Sequence, residues 1–556
     1  MLLSSGLNRR RRPKRCCGSN YSEPAGQGAI PPATWHNIRS MSNIQRVLIS
    51  VTDKTGIAEF ARGLEALGCA IISTGGTARA LTEAGVAVRD VAEVTGFPEM
   101  LDGRVKTLHP KIAAGVLAIR ENPEHRQALE AHGISTIDMV VVNLYAFEKA
   151  AAREGATVPE LIENIDIGGP TLIRAAAKNY QDVVVVVSPA DYAAILEEMQ
   201  GGGVSLATRW RLAQKAFRAT ADYDRAISAR LARIAVQDQQ YVDTAPALPP
   251  LLDMRAPRVL DLRYGENPHQ AAALYASGPG GIAGARQLHG KELSYNNLVD
   301  LDAAWQLVWE FDEPASAIIK HTNPCGCAEQ ATLAESYRKA FECDPVSAYG
   351  GVLAFNRPLD QETAREIAKT FIEAIAAPDY SPEALAILTG RRNLRLLQVA
   401  VGEGPGLVIK SISGGFLAQT PDVHRLDRAQ ARVVTERAPG EDEWRALEFG
   451  WKVSKHVKSN AIVYARAGQT AAVGAGQMSR VDSVKVGAMK AVLPLAGTVV
   501  ASDAYFPFPD GVEEAANHGI TAVIQPGGSV RDPEVIAAAN RLGLAMVFTG
   551  VRHFRH

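Results

Sequence analysis

The sequence predicts a two-domain α/β protein, and three observations carry that reading. Its 556 residues exceed what one hydrophobic core holds, strand-like apolar runs alternate with amphipathic helical stretches, and a proline-rich polar segment cuts the alternation in two. A single core stops growing at roughly 250 to 300 residues, so two or more domains are expected. Hydrophobic residues at 47% and charged residues at 21% are ordinary globular usage. The longest apolar runs, VVVVV at 183–187 and MVVV at 139–142, fall far short of the roughly 20 residues a membrane span requires, which predicts a soluble protein with no membrane partner. Residues 1–43 carry seven Arg or Lys against one Glu, a net +6 that leaves −7 on the rest. The body is therefore not expected to bind nucleic acid. Six cysteines without a dense framework suit a reducing compartment, and a cytoplasmic protein is expected.

Residues 1–43 show no apolar periodicity and are rich in Arg, Pro, Gly and Ser, the composition of a disordered extension. MLLSSGL is too short for the apolar centre of a secretory signal, and Met41 is an alternative start. From Ile44, RVLISV reads as a strand, TDKTGIAEFARGLEALG as a helix with a polar start and CAIIST as a second strand. GGTARALTEAG follows as a helix, and DMVVVNLY and DVVVVVS as strands whose unbroken apolar character marks a sheet covered on both faces. That succession predicts a doubly wound first domain over 44–240, its last part mostly helical. QDQQYVDTAPALPPLLDMRAP supplies four prolines, and 241–256 is read as the linker. The second domain, 257–556, alternates again through ASAIIKH, LAESYRKAFE, GGVLAFN and ETAREIAKTFIEAIAA; its size predicts a composite body. No short-period repeat is present.

STGGT, Ser73 to Thr77, lies where a strand ends and a helix begins. Its two glycines let backbone N–H groups approach an anion at the positive end of a helix, although two glycines serve such a turn structurally as well. The segment matches neither the GxGxxG fingerprint nor the P-loop spacing, which favours a monophosphate over a dinucleotide. SVTDKTG, Ser50 to Gly56, leaves the first strand at the equivalent edge, where ligands gather in such sheets. GRVKTLHPKI gathers Arg104, Lys106, Thr107 and His109 in a segment that proline keeps from continuing as helix. NIDIGGPTLIRAAAKN places Asp166 before a Gly-Gly turn and Lys178 on the helix beyond it, a pair that reads either as cap and surface charge or as acid and base.

IIKHTNPCGCA, residues 318–328, offers three chemistries. Zinc would call for a Cys-x-x-Cys pair and an upstream His-x-Glu, whereas the segment has Cys-Gly-Cys. A cysteine nucleophile would need a stabilised thiolate, and both cysteines read instead as small packing residues around a Pro-x-Gly turn. Lys320 and His321 offer the third chemistry, an oxyanion donor beside a base whose unperturbed pKa lies near 6.5, while a histidine at the end of a buried strand serves equally as a hydrogen-bonded structural residue.

These motifs, in this order, resemble the bifunctional purine-biosynthesis family that joins an aminoimidazole carboxamide ribonucleotide (AICAR) formyltransferase to an inosine monophosphate (IMP) cyclohydrolase. The resemblance runs from about Ile44 to His556 through SVTDKTG, STGGTA, GFPEMLDGRVKTLHPKI, NLYAFE and IDIGGPTLIRAAAKN, then RYGENPHQ, SYNNLVDLDAAW, IIKHTNPCG, DPVSAYGG, KSNAIVYA, GAGQMSRVDS, SDAYFPFPDG and RHFRH. It implies a methylglyoxal-synthase-like first domain with a doubly wound parallel sheet, then a domain of two cytidine-deaminase-like α/β subdomains, assembled as a homodimer without a catalytic metal. It further implies 10-formyltetrahydrofolate as co-substrate, AICAR and formyl-AICAR as small-molecule partners, and IMP as product. Ring closure would fall to Lys106, Tyr145, Asp166 and Lys178, with the ribonucleotide held by Ser50, Thr52, Lys54, the loop Ser73, Thr74, Gly75, Gly76 and Thr77, and by Arg104, Thr107, Asn143, Gly168 and Gly169. Formyl transfer would fall to Lys320, His321 and Asn460, with Arg263, Tyr264, Asn297, Gly350, Glu373, Arg480, Phe506, Asp510 and His556 as binding positions. APDY at 377–380 departs from the glycine-containing form of the family. The division of roles between Lys106 and Lys178 stays open at this point.

The basic extension lies outside the resemblance, so a chain begun at Met41 is expected to keep both activities at full-length rates in parallel assays. Loss of either activity on truncation would show that the extension takes part in the chemistry.

Overall fold

The computed structural model describes residues 44–556 apart from 102, 103, 146, 245 and 403–405. The extension 1–43 of the sequence reading lies outside the described residues. The chain divides into two compact units between Pro246 and Ala247.

The first unit is built on five strands: β1 (Arg46–Val51), β2 (Ala70–Ser73), β3 (Val88–Asp90), β4 (Met139–Asn143) and β5 (Val184–Val186). They form one parallel sheet in the order β3-β2-β1-β4-β5. Val47, Leu48, Val140, Val141, Val184 and Val185 are buried together in its core, because crossover helices cover both faces and leave no solvated side for alternating polar residues. The chain leaves β1 toward β2 and β3, then resumes on the other side with β4 and β5. A crevice therefore opens at the carboxyl ends of β1 and its two neighbours. The long helix Leu206–Leu231, capped by Ser205 through the N–H of Thr208, packs on the helix Gly168–Lys178 and on β5. Residues 241–243, expected in the linker, instead belong to a hairpin of β6 (Ile234–Gln237) and β7 (Gln240–Asp243). Its turn, Asp238–Gln239, takes left-handed φ of 48° and 62°, the backbone such two-residue hairpins require. The sequence concealed it because neither turn residue is glycine.

The second unit begins with a separate hairpin, β8 (Arg258–Leu262) and β9 (Ala272–Tyr275). Then come β10 (Arg286–His289), β11 (Ala315–Lys320), β12 (Asn323–Glu329), β13 (Val352–Phe355), β14 (Ala374–Ala377) and β15 (Arg395–Gln398). A lone hairpin follows, β16 (Val408–Ile412) with β17 (Gly415–Gln419). The chain closes with β18 (Arg432–Val433), β19 (Ile462–Arg466), β20 (Gln469–Gly474), β21 (Val499–Ser502), β22 (Ala522–Gln525) and β23 (Ala545–Phe548). Twelve of these make one mixed sheet, β10-β15-β14-β13-β11-β12-β20-β19-β21-β22-β23-β18.

That order is a duplication. In each half three parallel strands (β13–β15, β21–β23) carry an antiparallel strand at one edge and an antiparallel hairpin (β11–β12, β19–β20) at the other. Elements correspond at a nearly constant offset: Ala315 against Ile462, Leu333 against Arg480 and Val352 against Val499 are each 147 residues apart, and Ala374 against Ala522 is 148. The halves join at β12–β20, where Ala328 faces Gln469 and the Thr470 hydroxyl bonds both the N–H and the carbonyl of Cys327. A repeat of that length has no short period to betray it.

One glycine in each half shows how closely the helix after the hairpin lies on the sheet. A Cβ at Gly326 would stand 1.9 Å from the Ala340 carbonyl oxygen, and one at Gly474 would stand 1.8 Å from that of Ser483. Backbone cannot yield as a side chain can. Gly326→Ala should therefore destabilise the second unit by about 3 kcal/mol, the upper part of the overpacking range, read from the shift of its urea midpoint at unchanged slope. An unshifted midpoint would mean that the helix slides at no cost.

Candidate active sites

In the first unit the carboxyl ends of β1, β2 and β4 and the segments 104–107 and 166–169 enclose a cavity of about 730 Å³. Fifteen of the residues expected to handle the ribonucleotide line it: Ser50, Thr52, Lys54, Thr74, Gly75, Gly76, Thr77, Arg104, Lys106, Thr107, Asn143, Tyr145, Asp166, Gly168 and Gly169. Two helices, Gly75–Glu83 and Gly168–Lys178, open at its wall. The positive ends of both helices favour an anion there, and at the second Asp166 already takes the Gly168 and Gly169 N–H groups. Val142, Ile165, Ile167 and Leu172 line the cavity as well, so it offers both an anion cradle and an apolar surface for a flat heterocycle.

Several of these side chains build the walls of the cavity. The Thr77 hydroxyl accepts from the Val51 N–H at 3.1 Å and donates to the Val51 carbonyl at 2.9 Å, tying the second loop to the first. The Asn143 side chain accepts from the N–H groups of Thr52 and Asp53 at 2.6 and 2.9 Å and donates back to the Asp53 carbonyl. Ser73, expected to touch the ligand, is fully buried and donates to the Ile49 carbonyl at 2.7 Å, a bond between the paired strands β2 and β1.

Asp166 accepts from the Gly169 N–H at 2.8 Å, and its own N–H donates to the Tyr223 hydroxyl at 2.7 Å. A Cβ at Gly169 would come within 2.5 Å of an Asp166 carboxylate oxygen, so the second glycine of the motif exists to admit that carboxylate. Burial pushes the Asp166 carboxyl above its ordinary value, partly offset by backbone N–H groups of Gly169, Tyr145 and Gly168. The balance leaves a stronger base than an exposed aspartate. Lys106 pairs with Glu99 at 3.0 Å, and its ammonium stands 3.2 Å from where a Cβ of Gly75 would lie. Arg104 pairs with Glu163 across the mouth. Lys178 is not part of this group. It ends the helix that Gly168 begins, ten residues and about 15 Å along the axis, and it is exposed and outside the cavity lining.

In the second unit β11 and β12 meet in a two-residue turn formed by His321 and Thr322. Both adopt left-handed backbone, φ 52° and 61°, which β-branched Thr322 in particular strongly disfavours. The turn is fixed from several sides. Asp300 accepts from the N–H groups of His321 and Thr322 at 3.3 and 2.7 Å, the Thr322 hydroxyl donates to the His321 carbonyl at 2.7 Å, and the Asn323 amide donates to it at 3.2 Å. The imidazole itself is exposed and, with Lys320, lines a cavity of about 250 Å³. The Lys320 ammonium donates to the Tyr349 carbonyl at 2.9 Å.

The expected Pro-x-Gly turn is absent, because Pro324–Gly326 lies within β12. Ile318 faces Gly326 and Ile319 faces Pro324, so Cys325 is the extra residue of a β-bulge. The bulge sends Cys325 into the cluster of Ile318 and Ala328, and Cys327 to the opposite face with Ala317 and Ile319. Thiols on opposite faces of a sheet cannot share a metal ion. Among the described residues no group of three or more His, Cys, Asp or Glu stands together for one. Burial pushes the Cys325 thiol up to about 12 and raises that of Cys327 well above its ordinary value.

The other expected binding positions are distributed unevenly. Arg263, Tyr264, Asn297 and Glu373 line a second cavity, of about 850 Å³, with Lys291, Arg391 and Arg392. Asn297 donates to Glu373 at 3.0 Å, and the Arg263 guanidinium lies 5.3 Å over the Tyr264 ring. Gly350, at φ 76°, donates to the Phe371 carbonyl, and the neighbouring Tyr349 ring stands 5.2 Å from that of Phe371. Arg480 is buried and committed: it meets Asp503 at 2.5 Å, Ser502 at 2.7 Å and the Asn460 side-chain oxygen at 2.7 Å. It orients Asn460, whose amide also donates to the Gln477 carbonyl at 2.9 Å. Phe506, expected at a ligand, is buried in the core with Tyr464 and Val512. Asp510 and His556 are exposed, the latter beside Phe554. Asp300, Asp503, Glu163 and Tyr223 escaped the sequence reading because each acts on a segment remote in the chain, and Glu99 escaped it although it lies seven residues before Lys106 in the same motif.

Comparison with known proteins bears on both units. The family model described as AICARFT/IMPCHase bienzyme matches residues 176–490, and that of the MGS-like domain matches residues 56–171. A solved structure named "Crystal structure of ForH" is 35% identical over 34% of this chain and 100% of its own, with a TM-score of 0.31.

The thiol assignments can be checked chemically. A chain begun at Met41 retains four of the six cysteines, all buried as free thiols. In the native state at pH 8 none should react with iodoacetamide within an hour, and all four should react in denaturant, because the thiolate is the reactive form. Rapid native labelling of Cys325 would restore the nucleophile reading.

Proposed function

The chain belongs to the AICARFT/IMPCHase bienzyme family, and on that footing we propose which residues carry its two reactions. It is a bifunctional enzyme of purine biosynthesis that formylates AICAR and cyclises formyl-AICAR to IMP. The observation that supports the assignment best is the convergence of Asp166, Tyr145 and Lys106 on one cavity with two helix N-termini.

Ring closure requires the carboxamide nitrogen to attack the formyl carbon, with one proton lost from that nitrogen and one from the 5-formamido nitrogen as the formyl oxygen leaves as water. Asp166, made more basic by burial, accepts the proton from the carboxamide. Lys106 and the exposed phenol of Tyr145 donate to the formyl oxygen as negative charge gathers there and as it leaves. The phosphate lies against Gly75, Gly76 and Lys54. Lys178, remote from this cavity in one chain, is left without a role in it.

Formyl transfer joins the 5-amino nitrogen of AICAR to the formyl carbon of 10-formyltetrahydrofolate and breaks the bond from that carbon to N10. His321 takes the amine proton during attack, and Lys320 stabilises the tetrahedral oxyanion or returns a proton to the departing N10. Asn460, held by Arg480, orients the substrate, and the cations around the 850 Å³ cavity receive its phosphate. The assembly proposed is a homodimer. The hairpins β6–β7, β8–β9 and β16–β17 expose Tyr241, Val259, Phe416 and Leu417, apolar area suited to burial against a second copy. Buried free thiols suit the reducing cytoplasm, and no nucleic acid or catalytic metal takes part.

Two variants separate the reactions. Asp166→Asn should lower ring closure of supplied formyl-AICAR by roughly 100-fold to 10,000-fold while sparing formyl transfer, and His321→Ala should do the reverse. In the wild type, ring closure should fall with decreasing pH as the raised Asp166 carboxyl takes up a proton. That limb should lie above the roughly 4 of an exposed carboxylate and vanish in Asp166→Asn. IMP formed at the wild-type rate by Asp166→Asn would reduce Asp166 to a helix cap.

A further inference from the structure

We propose that Asp300 is a positioning residue of the formyl-transfer site, its carboxylate clamping the backbone of the His321–Thr322 turn so that the imidazole is held where the amine proton must be taken. The inference rests on the reading of His321 as the base. Four observations converge on it. The two N–H groups that Asp300 receives belong to consecutive residues, both in left-handed backbone. Such a backbone persists at a non-glycine pair where its surroundings over-determine it. The corresponding turn of the second half has Gly468 at φ 68°, a residue that adopts this backbone without strain. The second half puts glycine at its one left-handed turn position, whereas the first half holds two non-glycine residues in that backbone by outside contacts.

Asp300 is also well placed to act through the turn alone. It lies on the helix Tyr295–Val308, three residues after Asn297, and positions three apart share a helix face. Asn297 points to Glu373 in the larger cavity, while Asp300 points to the turn that carries His321. A single helical turn thus sets the register between the substrate cavity and the base. The Asp300 carboxylate bonds main chain, so its removal leaves the imidazole chemically intact and alters its position. The Thr322 hydroxyl and Asn323 amide hold the His321 carbonyl but supply nothing to either N–H. Without Asp300 the turn can relax toward right-handed backbone, which carries the imidazole away.

The test is a double-mutant cycle on the full-length enzyme, measuring kcat and KM for AICAR in formyl transfer for Asp300→Ala, His321→Ala and the double variant, with ring closure of supplied formyl-AICAR as a control. Asp300→Ala should lower kcat by roughly 10-fold to 100-fold, the scale of a misplaced catalytic group, with KM within about twofold. In the His321→Ala background the same change should cost less than about threefold, because residues that act as one unit are not additive. Asp300→Asn keeps one acceptor oxygen and should fall between wild type and Asp300→Ala; it also carries the test should the alanine variant fail to fold. Ring closure should be unchanged throughout. An equal loss in both backgrounds, a wild-type kcat in Asp300→Ala, or a rise in KM alone would overturn the proposal while leaving His321 as the base. Full transfer activity in His321→Ala by itself would instead overturn the reading on which the proposal rests.

Discussion

A sheet covered on both faces has no place along its strands for polar side chains that must meet a ligand, since each would have to be desolvated and paired where it stands. Both units accept this constraint: β4 and β5 in the first, and β13, β14, β19, β21 and β22 in the second, carry almost uninterrupted buried apolar residues. The residues proposed for chemistry lie at the ends of strands. In the first unit that edge is where β1, β2 and β4 stop, and it gathers loops distant in sequence into one cavity. In the second it is the tip of the β11–β12 hairpin.

The first cavity shows one environment serving two electrostatic purposes. Helix N-termini and the side chains of Lys54, Arg104 and Lys106 make one part of the wall attractive to an anion, while burial weakens the acidity of Asp166 nearby. The glycines serve both ends. Gly75 at φ 56° opens the helix beside the Lys106 ammonium, and Gly169 makes room for the Asp166 carboxylate. The same residue type answers a demand of backbone conformation in one place and of side-chain space in the other.

Duplication gives the second unit its size, and a departure from the duplication falls at the hairpin tip proposed for its chemistry. The two halves share strand order, offset and the glycine that admits the crossing helix. They differ at the hairpin tip, where one half has Ala467–Gly468 and the other His321–Thr322. Local preference is met in the first case and violated in the second, and such violations concentrate at functional sites because something else must maintain them. Here the maintenance comes from Asp300, Thr322 and Asn323. Asn460 is held in the same manner by Arg480 and the buried Asp503.

What the sequence determined by itself was whatever depends on near neighbours in the chain. The unbroken Val runs of β4 and β5 follow from burial on both faces and STGGT from the demands of a strand-to-helix turn; the family resemblance, carried by the order of the motifs, added the choice of Lys320 and His321, whose residue types suit proton chemistry at neutral pH. Tertiary structure decided everything set by distance. Lys178 and Asp166 belong to one motif, yet the rise of a helix separates them. Phe506 and Ser73 belong to their motifs as well, yet side-chain direction buries both. Cys325 and Cys327 stand two apart in sequence, the spacing of one strand face, and one bulged residue turns them to opposite faces. Asp300 acts on a turn 21 residues away through backbone atoms that no residue type announces. A linear pattern specifies what each side chain can do, and the folded chain specifies which groups it can reach.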